Sequence, residues 1–357
     1  QDVTAYFQRV AKDRLASVME MEADRMANLR LTETDVKTER DVILEERRSR
    51  VDNDPSSLLQ EQMMAALYRN HPYGTPVIGW DHEIAQLDRE DALTFYKRFY
   101  APENAILIVA GDVDPDEVAV LAKETFGKIP GNGKPIARER PVEPEHDASV
   151  TVTLEDPRAG RTTVQRLYIA PSYASGQPGE AEALDLLARI MANGSTGRIY
   201  KSLVVDKHVA ASAGGWYSDS GIDHGRIGFY AIAGEDDTPE EMDAAIDKVI
   251  EDVRENGVTQ AELDRARAGL LAEYIYTSDS ISRMARQYGW RLAVGMDVDD
   301  VEEWPDRIRA VTADDIRKVA RKYLVDENSV TGILTPAPEH TSRVQEKPVP
   351  AASKDKS

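Results

Sequence analysis

The chain has 357 residues, 41% hydrophobic and 30% charged, a length that suits two domains better than one core. Its 44 Lys and Arg against 64 Asp and Glu leave a net charge of -20, which repels a phosphate backbone and disfavours nucleic acid as a partner. Cysteine is absent, which excludes disulfides and thiolate chemistry, and no run reaches the ~18–20 apolar residues of a membrane helix.

The chain opens on Gln1-Asp2-Val3-Thr4, neither an initiator Met nor a signal peptide, so it is expected to begin inside a longer protein. A helix is predicted over Asp13 to Leu29, with Leu15, Val18, Met19, Met26 and Leu29 as its core stripe. The next helix opens at Thr32 and carries Glu39 and Glu46. Seven residues are nearly two helical turns, so both carboxylates fall on one face. Val42, Ile43 and Leu44 between them are expected to pack on a core. Two readings of the pair stand side by side. It is a solvated face neutralised by Arg40, Arg47 and Arg48, or it offers one oxygen ligand to a metal with a second carboxylate in support.

Further on, Asp88 caps a helix with Leu93, Tyr96 and Tyr100 as its stripe, and Ala105 to Ala110 reads as a buried strand. Lys128 to Arg161 holds five prolines and no aromatic residue, the composition of a linker. Strands are expected at Val150 to Leu154, Val164 to Ala170 and Arg226 to Ala233, with a helix around Ala181 to Met191. Thr312 caps a helix whose Ile316, Val319, Ala320 and Tyr323 share one face, and the strand Val330 to Leu334 follows. Beyond Thr335 the chain turns Pro-, Lys- and Ser-rich and reads as a tail.

The chain also repeats itself. Ile84 to Ile106 matches Ile308 to Val330 at an offset of 224 without a gap, pairing Asp91 with Asp315 and Glu103-Asn104 with Glu327-Asn328. Thr32 to Val36 matches Thr259 to Leu263 at an offset of 227, and Glu46 then meets Glu273. The fold class predicted is α+β, two similar repeats that each pack an antiparallel sheet on helices. On this arithmetic the first repeat lacks roughly 60–75 residues of its opening.

Among the six histidines, no two are three to five residues apart, so no helical zinc pair exists in the sequence. His71 is read as a loop hydrogen-bonding residue, Asn104 and Asn328 as left-handed helix ends, and Gly214 and Gly215 as loop shapers.

One ordered set of motifs carries a resemblance. Glu39-Arg40-Asp41-Val42-Ile43-Leu44-Glu45-Glu46 is followed by Asp54-Pro55, His71-Pro72-Tyr73-Gly74, Pro76-Val77-Ile78-Gly79, Tyr100-Ala101-Pro102-Glu103-Asn104 and Gly111-Asp112. Over about residues 1–335 this resembles the insulinase/pitrilysin family of zinc peptidases. The resemblance implies a zinc metalloendopeptidase acting on extended peptides, with Zn2+ held by two histidines and a glutamate. The general-base glutamate sits between those histidines in a His-x-x-Glu-His helix. On the matching motif the glutamate ligand is Glu46 and Glu39 is its supporting acid; the histidines and the base fall before residue 1. The chain alone is therefore expected to be inactive. The units implied are 1–130, the remainder of the zinc-type domain; 131–160, linker; 161–336, the homologous domain; and 337–357, tail.

Family members often carry an Arg and a Tyr, seven residues apart, in the second domain, and here Val204 and Ala211 stand in those places. That departure implies a heterodimer with an Arg/Tyr-bearing subunit, with a homodimer as the alternative. A non-catalytic scaffold paralogue is the competing function, and the periplasm the implied compartment.

Overall fold

A computed structural model describes residues 1–131, 140–235 and 237–337. Its helices begin where the sequence provides caps. Helix α1 is Leu15–Asn28, and its apolar stripe turns Met19 and Ala23 fully inward. Helix α2 is Glu33–Arg47; the Thr32 hydroxyl accepts from Asp35 N while the Asp35 carboxylate accepts from Thr32 N, satisfying two first-turn donors at once. Helix α3, Pro55–Leu67, starts on Asp54, whose carboxylate accepts from Ser56 N and Ser57 N. Arg89–Phe99 and Ala313–Tyr323 form helices of equal length with matching capping boxes, each followed by a short turn at 102–104 or 326–328. The 224 offset therefore holds for the bounds and caps of these elements.

The second repeat builds a five-stranded sheet from β1 (Val150–Asp156), β2 (Thr163–Ala170), β3 (Ser212–Ser218), β4 (Gly225–Ile232) and β5 (Ser329–Pro336). Their order is β1-β5-β2-β4-β3, parallel only between β1 and β5. Alternation along β2 sends Val164, Tyr168 and Ala170 to one face and Leu167 to the other. The first face packs on the helices Glu180–Ala192, Pro239–Asn256 and Ala313–Tyr323, and this is the larger core. The second face is covered by α3 from the first repeat, through Leu59, Met63 and Leu67 on Val330 and Leu334.

This crossing depends on a glycine. A Cβ at Gly332 in β5 would lie 2.1 Å from Met63 Sδ, and Met63 is fully buried with nowhere to retreat. Gly332→Ala is expected to lower stability by about 1–3 kcal/mol in urea denaturation. Combined with Met63→Ala it should cost less than the two single changes summed, because the clash is removed. Strict additivity would refute the contact.

Four expectations about the fold need correction. Ala105 to Ala110 is not a strand: Ile106 and Leu107 are exposed, and among the described residues no strand lies beside them to complete a ladder. Gly214 and Gly215 lie inside β3, where a Cβ on Gly215 would meet Gly228 O at 2.4 Å, so they serve close strand pairing and not a loop. Asn104 and Asn328 are not left-handed, since His208 alone among described non-glycine residues has positive φ. Asn104 instead donates from Nδ2 to Phe99 O at 2.9 Å, closing its helix. The 131–160 segment expected as linker contains β1, so the stretch outside the sheet is shorter; residues 132–139 of it, and 338–357 of the tail, lie outside the described residues.

Candidate functional site

Glu39 and Glu46 sit on one continuous helix, α2, so the face deduced from their spacing exists. Glu39 is exposed and Glu46 half-buried. Val42 between them is exposed, contrary to the expectation that it packs on a core, whereas Ile43 and Leu44 are partly buried.

The arginines expected to neutralise the pair are mostly engaged elsewhere. Arg40 Nη1 donates to Leu87 O at 2.8 Å, and Arg48 pairs with Glu45. Arg47 is buried and donates to both carboxylate oxygens of Glu61, at 2.7 and 3.1 Å, and to Gly79 O at 2.8 Å. Buried forks of this kind are charge-assisted and geometrically strict. Here the fork fixes the end of α2, and with it Glu46 one residue earlier, to α3 and the following loop. Sequence reading put Arg47 on a solvated face, and the structure buries it; an arginine ending a helix beside a run of charges gives no sign of burial. Arg50, which sequence reading missed, is the cation that Glu46 meets, Nη1 to Oε1 at 2.8 Å across one exposed helical turn.

The second repeat shows what such a stripe packs against. At the 227 offset, Glu39, Val42 and Glu46 correspond to Ala266, Gly269 and Glu273 on the helix Gln260–Ser278. There the stripe receives the helix Glu180–Ala192. Ala266 is buried, a Cβ on Gly269 would lie 3.0 Å from Arg189 Nη2, and Arg189 Nη1 donates to Glu273 Oε2 at 3.0 Å. The glutamate matching Glu46 thus reaches across to a side chain on a neighbouring helix. Beside it lies a cavity of 290 Å³ lined by Asp185, Asp219, Glu273, Arg291 and Trp304 among others.

In the cavity wall Asp185 accepts from the Tyr173 hydroxyl behind it at 2.5 Å, and Arg291 donates to Asp219 at 2.6 Å. Burial first, and then the Asp219 charge, push the Asp185 carboxyl up to about 7. A carboxyl raised above its unfolded value stabilises the fold at low pH, and that contribution is lost as pH rises through about 7. Asp185→Asn is therefore expected to narrow the gap in melting temperature between pH 5 and pH 8 by raising the pH 8 value. An unchanged gap would contradict the assignment.

His71 behaves as scaffold. Its Nδ1 accepts from Tyr73 N at 3.2 Å, which leaves Nε2 protonated to donate to Asp223 at 2.9 Å. Arg140 joins Asp223 to Asp2, so this network links the two repeats. His146 is likewise taken, against Glu143 at 3.0 Å. At the expected Arg/Tyr positions, Val204 packs beside the main core and Ala211 is an exposed methyl. Arg198 and Tyr217 are no substitutes: Arg198 is held by Glu262 and Asp252, and the Tyr217 hydroxyl donates to Pro171 O. Among the described residues no cluster of three His, Cys, Asp or Glu is placed to hold a metal. Glu46 supplies an oxygen that zinc accepts, but with no imidazole beside it the described residues do not make a zinc site on their own.

The fold and its stripe of carboxylates can be set beside known proteins. A model of the insulinase family (Peptidase family M16) matches residues 1–81, and one of the Peptidase M16 inactive domain matches residues 86–270. An uncharacterized zinc protease of Mycobacterium bovis is 31% identical over 330 residues, 90% of this chain and 72% of the relative. The chain belongs to the insulinase family of peptidases. Zinc protease PqqE of Helicobacter pylori is 28% identical over 338 residues, 94% of this chain and 74% of the relative. The crystal structure of a protease from Helicobacter pylori superposes with a TM-score of 0.85 at 27% identity, covering 92% of this chain and 78% of that one. No helix among the described residues is long and apolar enough to cross a membrane.

Proposed function

We propose that this chain is the larger part of a zinc metalloendopeptidase, in which Glu46 is the carboxylate ligand and Glu39 steadies the site by hydrogen bonding. One observation carries the reading: the stripe equivalent to Glu39–Val42–Glu46 receives a helix in the second repeat, and Glu273 there touches it. A helix seated on α2 in the same way would set its side chains against Glu46, and that helix is where the two imidazoles and the general base belong. Arg50 lies on an exposed turn and yields to a cation entering that position, because exposed helical pairs hold by only ~0.3–0.5 kcal/mol. Zinc bound there would polarise the scissile carbonyl and make water a nucleophile near neutral pH.

The substrate is an extended peptide. The missing Arg/Tyr pair favours a heterodimer whose other subunit contributes those groups, with a homodimer the alternative outcome of a sedimentation measurement. The compartment that goes with this reading is the periplasm.

As it stands the chain is expected to hold far less than one zinc per molecule after dialysis, and to cleave no peptide. Stoichiometric zinc by elemental analysis would overturn the ligand assignment. A longer form that carries the histidine helix, folds, and still retains no zinc would instead favour the scaffold paralogue.

A further inference from the structure

The cavity beside Glu273 is built wholly by the second repeat. Its lining comes from the helices Glu180–Ala192, Gln260–Ser278 and Ile281–Ala293, with Asp219 just past β3 and Trp304 farther along the chain. On Ile281–Ala293 the residues that meet the first repeat are Arg286, over the Phe7 ring, and Gly289, whose Cβ would lie 3.5 Å from Ile108. Gln287 and Arg291, two residues either side of Gly289, project to the opposite side of the helix, and these are the ones that line the cavity.

The first repeat fills the matching place. At the 227 offset Arg47 meets Tyr274. The helices α3 and Ile281–Ala293 both have 13 residues, and aligning their first residues sets Glu61 opposite Gln287. The buried Arg47–Glu61 fork thus gives way to a Tyr and a Gln, with open space between the helices.

Four carboxylates line that space, Asp185, Asp219, Glu273 and Asp300, against the single guanidinium of Arg291. Arg291 is held by Asp219, Glu273 meets Arg189, and the Asp300 carboxylate accepts from Asp297 N as part of a helix cap. Asp185 differs. Its Oδ2 accepts from Tyr173, whose oxygen accepts from Trp304 Nε1 at 2.7 Å. Among the described residues no ion pair reaches Asp185 and no hydrogen bond reaches its Oδ1. Burial is the first cause that lifts this carboxyl to about 7, as expected of a charge set deep without a counter-ion. Beside it Tyr274 and Trp304 stack, ring centroids 5.5 Å apart and planes 22° from parallel. A guanidinium suits both features, since it is flat, stacks on aromatic faces and offers in-plane donors to a carboxylate.

We propose that this cavity binds one small guanidinium cation, with Asp185 as its counter-ion and the Tyr274–Trp304 pair as its wall. The 290 Å³ is roughly twice the ~150 Å³ of a cavity that takes up benzene, so a group of side-chain size fits. Its source is a free small molecule or an arginine side chain of a bound polypeptide.

Calorimetric titration of the whole chain at pH 8 tests this with methylguanidinium, methylammonium, neutral methylurea and acetyl-Ala-Arg-Ala-amide. Methylguanidinium is expected to bind at least roughly tenfold more tightly than methylurea, and more tightly than methylammonium. A peptide that binds no better than methylguanidinium assigns the ligand to a free small molecule; one that binds better assigns it to a polypeptide side chain. Asp185 faces Tyr173, Tyr217, Asp219 and Arg291 from neighbouring elements, Glu273 and Asp300 across the cavity, and Glu182 on its own helix. A cation favours the ionised carboxyl, so affinity should fall about tenfold from pH 8 to pH 6, across its value of about 7. Asp185→Asn, the more stable protein at pH 8, should lose most of the affinity and all of that pH dependence. Tyr274→Leu should weaken methylguanidinium roughly threefold. Methylguanidinium bound no better than methylurea, or bound equally by Asp185→Asn, would overturn the proposal, as would a preference for methylammonium. No lining residue belongs to α2, so failure here leaves the ligand assignment of Glu46 untouched.

Discussion

Replacing Arg47 with alanine is expected to destabilise the protein by about 3–5 kcal/mol, the largest effect of any single charge removal proposed here. The reason is the state of the group left behind. Glu61 is buried, and in the native fold both its oxygens accept from Arg47. Without the guanidinium an ionised carboxylate stays in the interior with no counter-charge, while Gly79 O loses a donor as well. Urea denaturation measures the loss directly. Arg47→Met combined with Glu61→Leu should recover most of it, because removing both charges together removes the desolvation cost along with the attraction. If the double variant is as unstable as Arg47→Ala, geometry other than the ion pair holds the end of α2. The expectation has a functional side, since loosening this fork frees the turn that positions Glu46.

Glu46→Gln, made in a protein that also carries the histidine helix, is expected to abolish zinc retention and peptide hydrolysis together. An amide oxygen is neutral and cannot offset the charge of the metal as a carboxylate does. Glu39→Gln should weaken zinc binding by about 10–100-fold, the range for groups that orient a ligand, and leave measurable hydrolysis. Elemental analysis and turnover of a quenched fluorogenic peptide separate the two. Equal effects from the two changes would show that their roles are not distinct, and normal turnover in Glu46→Gln would remove it from the metal altogether.

Much of the architecture was readable because it depends on local chemistry. Thr32, Asp88, Thr259 and Thr312 all cap helices through a side chain placed three residues on, and such boxes are visible in a linear sequence. The repeat was readable for the same reason, since equivalent helices keep equivalent caps. Ala105 to Ala110 went wrong on a non-local point. Its apolar run has strand character, but a strand exists only beside another, and pattern says nothing about whether the neighbour is there. Val42 failed likewise: its outward position matches Gly269, whose space is taken by another helix. At the site, the spacing of Glu39 and Glu46 was enough to find the face. Arg47 and Arg50 were not distinguishable by spacing, because which arginine is buried depends on α3, eight residues farther along the chain. His71 was read correctly from its context before Pro72, and Asp223, its partner, lies 152 residues away, beyond any local signal.

The passage of α3 over β5 sets where the molecule can be divided. A fragment cut at the proline-rich connection, starting at Val150, would keep every strand of the sheet but leave Val330, Leu334 and Leu167 bare to water on the side that Leu59, Met63 and Leu67 now shield. Such a piece should precipitate or pair with itself through that greasy plane, although all its own helices are intact. Workable dissection has to start upstream of Asp54, carrying part of one half along with the other, so the seam between the halves in sequence is not a seam in space.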